Sequence, residues 1–477
     1  MKKRKTSETS ADDVGSPELP PSPEGGDLPL GPTGRSIVVL RPGAHKSTVK
    51  SLQSTAGLKV ASTADFEDAV VSDDNIGGAD AVVLEHLDIA VVDADSDQVK
   101  SLEAAVADVD NPVLSIEPEM YVIPFCHDAG AEDEGSTGGL LTQGGREYLR
   151  GYNDAVQSLV ARLLGGAVTE EAAVAAAFAD TAALTWGLQA TKVDKSSCNG
   201  RGIRVAVLDT GFDLHHPDFA GRSVISASFV PGQAVQDGHS HGTHCIGTAC
   251  GPKTPPGNTR RYGVAHEATI LVGKVLSNSG SGQQGWILAG INWAIQSKAV
   301  VISMSLGSPV PIGGSFSPAY EQAGLAALNN NCLIVAAAGN SGNTPVGAPA
   351  NSPSIMAVAS VDPDLARSSF SCIALNPNGG EVNIAAPGRN VFSTVPMPTR
   401  YGVKTGTSMA TPHVAGIAGL WAQWTGLRGK ALWQKLTSTA LNIGQTPQTV
   451  GAGLAQAPRC PRLSQGPTPI PPGSLEG

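Results

Sequence analysis

The chain has 477 residues, of which 41% are hydrophobic and 16% charged, and its formal net charge is −10. This balance excludes a fibrous chain and indicates a globular α/β protein with one large domain and a smaller one. It argues against nucleic acid as a partner, because Lys and Arg cluster only at residues 2–5. No window reaches the roughly 18 consecutive apolar residues of a membrane span, so we expect no membrane insertion.

The N-terminal stretch and the cysteines exclude further classes. Residues 1–35 are rich in Pro, Ser, Gly and acidic side chains, which predicts a disordered tail, and they contain no apolar segment typical of a signal peptide. The seven cysteines are scattered, with no CxxC pair: Cys126, Cys198, Cys245, Cys250, Cys332, Cys372 and Cys460. This spacing excludes a zinc ribbon and argues against a disulfide framework, although one or two bridges stay open.

Residues 36–126 predict a small α+β domain. "SIVVLRPG" predicts a strand, "AHKSTVKSLQSTAG" a helix and "DAVVLEHLDIAVVDAD" a pair of strands. A second helix follows, because Val99, Leu102, Val106 and Val109 recur at helical spacing. The extended stretch "VLSIEPEMYVIPF" completes a β-α-β-β-α-β order, the split βαβ arrangement.

The rest of the chain predicts a linker, a large domain and a tail. Residues 127–185 predict a linker with one helix, whose apolar face would comprise Leu149, Tyr152, Val156, Val160 and Leu163. Residues 186–458 alternate apolar strand-like runs with helical stretches, which is typical of a mainly parallel sheet covered by helices. Residues 459–477 predict a Pro-rich tail.

The first motif with chemical potential is "RVAVLDTG", which places Asp209 at the carboxyl end of a buried strand. Open α/β sheets carry functional groups at this edge. Asp-Thr-Gly is also typical of aspartic proteases, which need two such carboxylates. The chain has no second copy, so that interpretation requires a homodimer.

The second motif is "DGHSHGTHCIGTACG". Asp237, His239, His241, His244 and Cys245 make a metal site an alternative, but their spacing matches no zinc pattern. The small residues after His241 predict a tightly packed helix with that histidine exposed at its start. A general base requires such a placement.

The third motif is "KTGTSMATPHVAG". If Ser408 begins a helix, Pro412 lies where the backbone N–H groups have no helical partner, and the proline is tolerated. Free N–H groups and the helix dipole favour an oxyanion beside the serine. A simple helix N-cap is the structural alternative for Ser408.

The motifs "VLDTG", "HGTHCIGT" and "GTSMATPHVAG", in the order Asp, His, Ser, resemble those of the subtilases, the subtilisin-like serine proteases. The resemblance implies a three-layer α/β domain and a catalytic triad of Asp209, His241 and Ser408. It implies that Asn340 donates to the oxyanion. It further implies that two exposed strands, Gly280–Gly282 and Ser305–Gly307, bind an extended peptide.

The substrate-binding residues implied by this resemblance are Gly280, Ser281, Gly282, Ser305, Leu306, Gly307 and Gly347. Gly347 corresponds to the floor of the pocket for the residue before the cleaved bond (P1). Because no carboxylate adjoins it, we expect broad specificity with an apolar or aromatic P1 residue.

The small domain resembles the inhibitory propeptide of the same family. The resemblance implies a self-processing precursor, with "MYVIPF" in the substrate cleft and cleavage either after it or before Trp186. Cys245 is similar to the buried cysteine of the proteinase K branch.

We expect protein or peptide substrates, a monomer and no required cofactor. "GPKTPPGNTRRYGVAHE" offers few calcium ligands, so the strong family calcium site is expected to be absent, with a weak site elsewhere left open. We expect secretion, by a route without a signal peptide or from a misassigned start, with the cytoplasm as the alternative. A peptide ligase or macrocyclase using the same acyl-enzyme, and a binding pseudoenzyme, are the alternative functions.

Overall fold

The computed structural model describes residues 31–43, 45–66, 78–128 and 178–460. The strands in these ranges are β1 (Pro32–Leu40), β2 (Val60–Ser62), β3 (Ala81–Leu84), β4 (Ile89–Val92), β5 (Val113–Pro124), β6 (His127–Asp128), β7 (Arg204–Asp209), β8 (Val224–Ser228), β9 (Thr269–Lys274), β10 (Gly282–Gln283), β11 (Val301–Met304), β12 (Leu306–Gly307), β13 (Leu333–Ala337), β14 (Met356–Val361), β15 (Ile384–Pro387), β16 (Val391–Thr394) and β17 (Tyr401–Thr405). The α-helices are His45–Ala56, Ser96–Val106, Trp186–Ala190, His241–Cys250, Gln284–Gln296, Pro318–Asn329, Thr407–Thr425, Gly429–Ser438 and Pro447–Val450.

The N-terminal unit is a small sheet with two helices packed on it. Its strands run in the order β5-β1-β4-β3, with the short strand β2 added in parallel at the edge. Leu52 and Leu102, one from each helix, are buried with Val38 and Val92 of the sheet. This is the split βαβ order with one extra strand. The second helix ends at Val106, so Val109, expected on its buried face, is 79% exposed.

The larger unit has a seven-stranded parallel sheet in the order β15-β14-β13-β11-β7-β9-β8. Because β7 is covered on both faces, its side chains divide between two cores. Ala206 and Leu208 pack with helices Gln284–Gln296 and Pro318–Asn329. Val205 and Val207 pack with helices His241–Cys250 and Thr407–Thr425. The result is the expected three-layer α/β fold.

Three loops leave the same edge of this sheet. Strand β7 ends at Asp209, β11 ends just before Ser305, and β13 ends three residues before Asn340. Since neighbouring parallel strands end at one edge, residues far apart in sequence meet there.

The two units join through strand β5. It pairs with β1 in the small sheet and continues antiparallel to β10 and β12 of the larger unit. Glu119 of β5 is fully buried, and its carboxylate accepts hydrogen bonds from Arg35 and from the backbone N–H of Gly285 at 2.8 Å. Glu117 accepts from the hydroxyl of Ser317. Both carboxylates therefore lie at the N-termini of helices, where negative charge is stabilised.

The larger unit extends beyond residues 186–458. Phe178 packs on its core, and the backbone N–H of Phe178 donates to Pro363. Cys460 forms a disulfide with Cys198. The helix expected around residues 145–166 lies outside the described residues. Among the described helices, none is long and apolar enough to cross a bilayer.

Candidate active site

Asp209 is the last residue of β7, and its side chain is buried. Its Oδ1 atom accepts hydrogen bonds from the backbone N–H of Thr210 and from Nδ1 of His241, each at 2.7 Å. Its Oδ2 atom has no hydrogen-bond partner among the described residues. Asp209 therefore fixes the His241 ring with the proton on Nδ1 and leaves Nε2 free.

His241 is the first residue of helix His241–Cys250 and is fully buried. We expected this ring to be exposed; instead, Cys126 of the N-terminal unit lies close enough to raise its pKa, and Asn340 binds the Phe125 carbonyl at the same site. Burial is the largest single effect and lowers the pKa of His241, but the charge and hydrogen bond of Asp209, together with Cys126 and Cys245, raise the pKa well above 6.5. His241 Nε2 has no partner within the described ranges.

Ser408 is the second residue of helix Thr407–Thr425, and its hydroxyl donates to the backbone oxygen of Ser305 at 3.0 Å. In return, the Ser305 hydroxyl donates to the backbone oxygen of Ser408 at 2.8 Å. Pro412 explains this exchange, because it has no N–H for the carbonyl four residues earlier. The expected place of Pro412 among the first, partnerless N–H groups is wrong. The helix begins at Thr407, and the Ser305 side chain replaces the missing donor.

Cys245 connects the histidine and the serine. Its Sγ atom is 3.9 Å from Nδ1 of His241 and 3.6 Å from the backbone oxygen of Ser408. Burial raises the pKa of this thiol to about 11. Cys245 is therefore a neutral thiol packed beneath the site and is unsuited to act as a nucleophile.

Two donors converge on one carbonyl oxygen, that of Phe125. The backbone N–H of Ser408 donates to it at 3.2 Å, and Nδ2 of Asn340 donates at 2.7 Å. Asn340 is oriented through its own oxygen, which accepts from the backbone N–H and the hydroxyl of Thr407 at 2.9 and 2.8 Å. This is the geometry of an oxyanion hole filled by a peptide carbonyl.

The segment before Phe125 lies between two strands of the larger unit. Tyr121 and Val122 pair with β10, while Ile123 and Pro124 pair with β12. The backbone N–H of Phe125 donates to Ser305 at 3.3 Å. The chain thus adds a strand between β10 and β12, as an extended peptide ligand does.

The implied substrate-binding strands need one correction. Ser305, Leu306 and Gly307 contact the inserted segment of the chain itself. On the other side, Gly282 and Gln283 form the paired strand. Gly280 and Ser281 belong instead to the preceding turn, in which the N–H of Ser277 donates to the Ser281 oxygen. The sequence did not indicate Gln283, because nothing in a glycine-rich turn marks the residue at which strand pairing with β5 begins.

The ring of Phe125 lies against two glycines. A Cβ atom added to Gly307 would be 2.6 Å from Cε2 of Phe125, and one added to Gly347 would be 3.4 Å from its Cζ. A side chain at Gly307 would therefore clash with the ring, whereas one at Gly347 would meet the ring at an ordinary contact distance and clash with the backbone oxygen of Ser308 at 2.7 Å.

The chain beyond Phe125 is also paired. His127 and Asp128 form β6, whose register places them opposite Thr405 and Lys404 of β17. Backbone pairing therefore exists on both sides of the peptide bond between Phe125 and Cys126.

The metal alternative does not fit this arrangement. Among the described residues, one group of three ligand-type side chains converges, namely Asp209, His241 and Cys245. Its histidine and carboxylate bond directly to each other, as an acid–base pair does. His244 instead bonds the backbone oxygen of Val391 at 3.0 Å.

These features define a class of protein. A three-layer α/β domain that carries Asp, His and Ser at one edge of its sheet is the architecture of the subtilisin-like serine endopeptidases. A family model described as the subtilase family matches residues 200–453. The chain belongs to the subtilase family.

Characterised relatives match the same region. Thermitase of Thermoactinomyces vulgaris is 44% identical over 224 residues, covering 47% of this chain and 76% of that protein. M-protease of Shouchella clausii is 41% identical over 280 residues, covering 57% and 68%. Subtilisin NAT of Bacillus subtilis subsp. natto is 39% identical over 269 residues, covering 54% and 66%, so this chain spans slightly under two thirds of that relative.

Proposed function

We propose that the chain is a self-processing serine endopeptidase with Ser408 as nucleophile, His241 as general base and Asp209 as the residue that orients His241. The observation that carries this proposal is the Phe125 carbonyl, which accepts from both Ser408 N–H and Asn340 Nδ2. A carbonyl held by two such donors beside a serine is positioned for attack.

The reaction follows from the hydrogen bonds. The Ser408 hydroxyl turns from the Ser305 oxygen to the free Nε2 of His241, gives up its proton there, and attacks the carbonyl carbon of Phe125. The oxyanion is held by Ser408 N–H and Asn340. His241 then passes the proton to the departing amine of Cys126, and water resolves the acyl-enzyme by the reverse route. No cofactor takes part in these steps.

We further propose that residues up to Phe125 form an inhibitory propeptide. Three contacts support this role: strand addition between β10 and β12, burial of Glu119 against Gly285, and the Phe125 ring between Gly307 and Gly347. By the same contacts, the mature enzyme accepts extended peptides or unfolded proteins with an apolar or aromatic P1 residue. It acts as a monomer, because one chain supplies every group that the reaction uses.

The test is the intact mass of the purified full-length chain over time, for the wild type, Ser408→Ala and Ser438→Ala. We expect the wild type and Ser438→Ala, a serine on a helix away from the site, to yield a fragment that begins at Cys126. Ser408→Ala stays whole. Processing of Ser408→Ala at the same bond would indicate another protease and contradict self-processing.

The same spectra separate hydrolysis from ligation when a peptide substrate and a second amine are supplied. Hydrolysis adds one water to the two fragments. A ligase would give a product that joins the acyl fragment to the added amine, because the amine resolves the acyl-enzyme instead of water.

A further inference from the structure

Asp237 is a buried carboxylate that the proposed reaction does not use, and five hydrogen bonds end on it. Its Oδ1 atom accepts from the backbone N–H groups of His239 and Ser240, both at 2.9 Å. Its Oδ2 atom accepts from the backbone N–H and the hydroxyl of Thr243, at 2.9 and 2.7 Å. The carboxylate thus holds the residues on both sides of His241.

The fifth bond connects this carboxylate to the strand that ends in Asp209. The Thr210 hydroxyl donates to Oδ1 of Asp237 at 2.9 Å and accepts from the backbone N–H of Gly242 at 2.8 Å. Thr210 also donates its own N–H to Asp209. A closed ring of hydrogen bonds therefore joins Asp209, Thr210 and Asp237 to the start of the helix that carries His241.

The backbone at this point needs such support. Ser240 has a φ of 85°, in the left-handed region that a serine seldom adopts. Lys274, which is fully buried, donates to the backbone oxygen of Thr210 and to Oδ1 of Asn278 at 2.8 Å. Its ammonium group balances the buried carboxylates, so the ring keeps its charge in the interior.

We propose that Asp237, acting through the Thr210 hydroxyl, is a positioning residue for His241. Asp237 and Thr210 together set the distance between the start of the helix that carries His241 and the end of β7. This distance in turn sets the length of the hydrogen bond from His241 Nδ1 to Asp209. This inference rests on the proposed function, since a positioned base matters only if His241 takes a proton.

Thr210→Val tests the link, because valine has the shape of threonine but lacks the hydroxyl. Thr210→Ser restores the hydroxyl. Thr248→Val is the matched control: Thr248 is buried in helix His241–Cys250, and among the described residues its hydroxyl bonds the His244 backbone oxygen. The full-length variants are allowed to process, active sites are titrated, and kcat and KM are measured with a peptide carrying Phe at P1.

Thr210→Val removes both hydrogen bonds of the hydroxyl, and we expect it to lose on the order of tenfold in kcat, with KM within about twofold of the wild type. Thr210→Ser recovers most of the loss. Asp237→Asn loses more kcat, because the amide replaces one acceptor oxygen with an NH₂ group that faces the N–H and O–H donors around it. The NMR signal of the His241 Nδ1 proton shifts in Thr210→Val and stays in place in Thr248→Val.

Three results would overturn the inference while leaving the proposed function intact. These are full activity of Thr210→Val, an equal loss in Thr248→Val, and no recovery in Thr210→Ser. A folded wild type that neither processes itself nor cleaves the peptide would overturn both.

Discussion

The side-chain nitrogen of Asn340 lies 2.7 Å from the carbonyl oxygen of Phe125, which also accepts from the backbone N–H of Ser408. The bond to Asn340 strengthens as negative charge develops on that oxygen. We therefore expect Asn340→Leu to lower kcat by on the order of 10²–10³ with little change in KM. Steady-state kinetics with a short peptide measure both, and Asn330→Leu, at an exposed surface position, is the control. A raised KM at constant kcat would contradict the assignment.

The pH dependence of activity follows from the bond between Asp209 and His241. The base must be neutral; burial lowers the pKa of His241, but Asp209, with smaller effects of Cys126 and Cys245, raises it well above 6.5. Activity is therefore present above this raised pKa and is lost as the pH falls through it. Asp209→Asn removes the charge, so the acid limb of kcat/KM moves to lower pH while kcat falls on the order of 10⁴-fold. The exposed Asp364→Asn serves as control, and an unshifted acid limb in Asp209→Asn would refute the explanation.

We expect Gly307 to limit the size of the residue accepted before the cleaved bond. A Cβ atom there would be 2.6 Å from Cε2 of Phe125 and closer still to the backbone oxygen of Ala348. Gly307→Ala should lower kcat/KM for a peptide with Phe at P1 on the order of tenfold more than for one with Ala, because only the Phe ring meets the added methyl group. Measuring both peptides with one preparation removes errors in active concentration. An equal loss for both would point to general damage.

We expect Glu119 to anchor the N-terminal unit, the proposed propeptide, on the larger unit. Its carboxylate bonds Arg35 at 2.8 and 2.9 Å and the backbone N–H of Gly285 at 2.8 Å. Glu119→Ala leaves buried donors without an acceptor, which weakens docking by on the order of 3 kcal/mol.

In the uncleavable Ser408→Ala chain, hydrogen exchange at the Phe125 amide, which donates to Ser305 across the junction, should then accelerate by about a hundredfold. Glu103→Ala, an exposed glutamate of the same unit, should leave the exchange unchanged. If the Phe125 amide stays protected in Glu119→Ala, this carboxylate does not anchor the unit.

The sequence predicted the fold and the place of the chemistry because both depend on local patterns. The buried run that ends at Asp209 and the small residues after His241 and Ser408 define a strand end and two helix starts. These rules act within a few residues, so a single chain reveals them.

Contacts between distant segments could not be predicted in this way. Cys126 and the Phe125 carbonyl lie at the His241 site although they are more than a hundred residues away in sequence, and the replacement for the missing Pro412 donor comes from Ser305. The start of pairing at Gly282 is fixed by the incoming strand. The partner of Cys198 was equally open, since seven cysteines at irregular spacing favour no pairing.

The pairing on both sides of the Phe125–Cys126 bond separates two events in time. Breaking this bond leaves Tyr121–Pro124 paired with β10 and β12, and His127–Asp128 paired with β17. If the chain cleaves itself at this bond as we propose, the nicked molecule is still latent, because its N-terminal product stays paired in the cleft. Activity toward added peptides would then appear later than the mass change that reports cleavage. The delay would be set by the rate at which the cleaved N-terminal fragment dissociates.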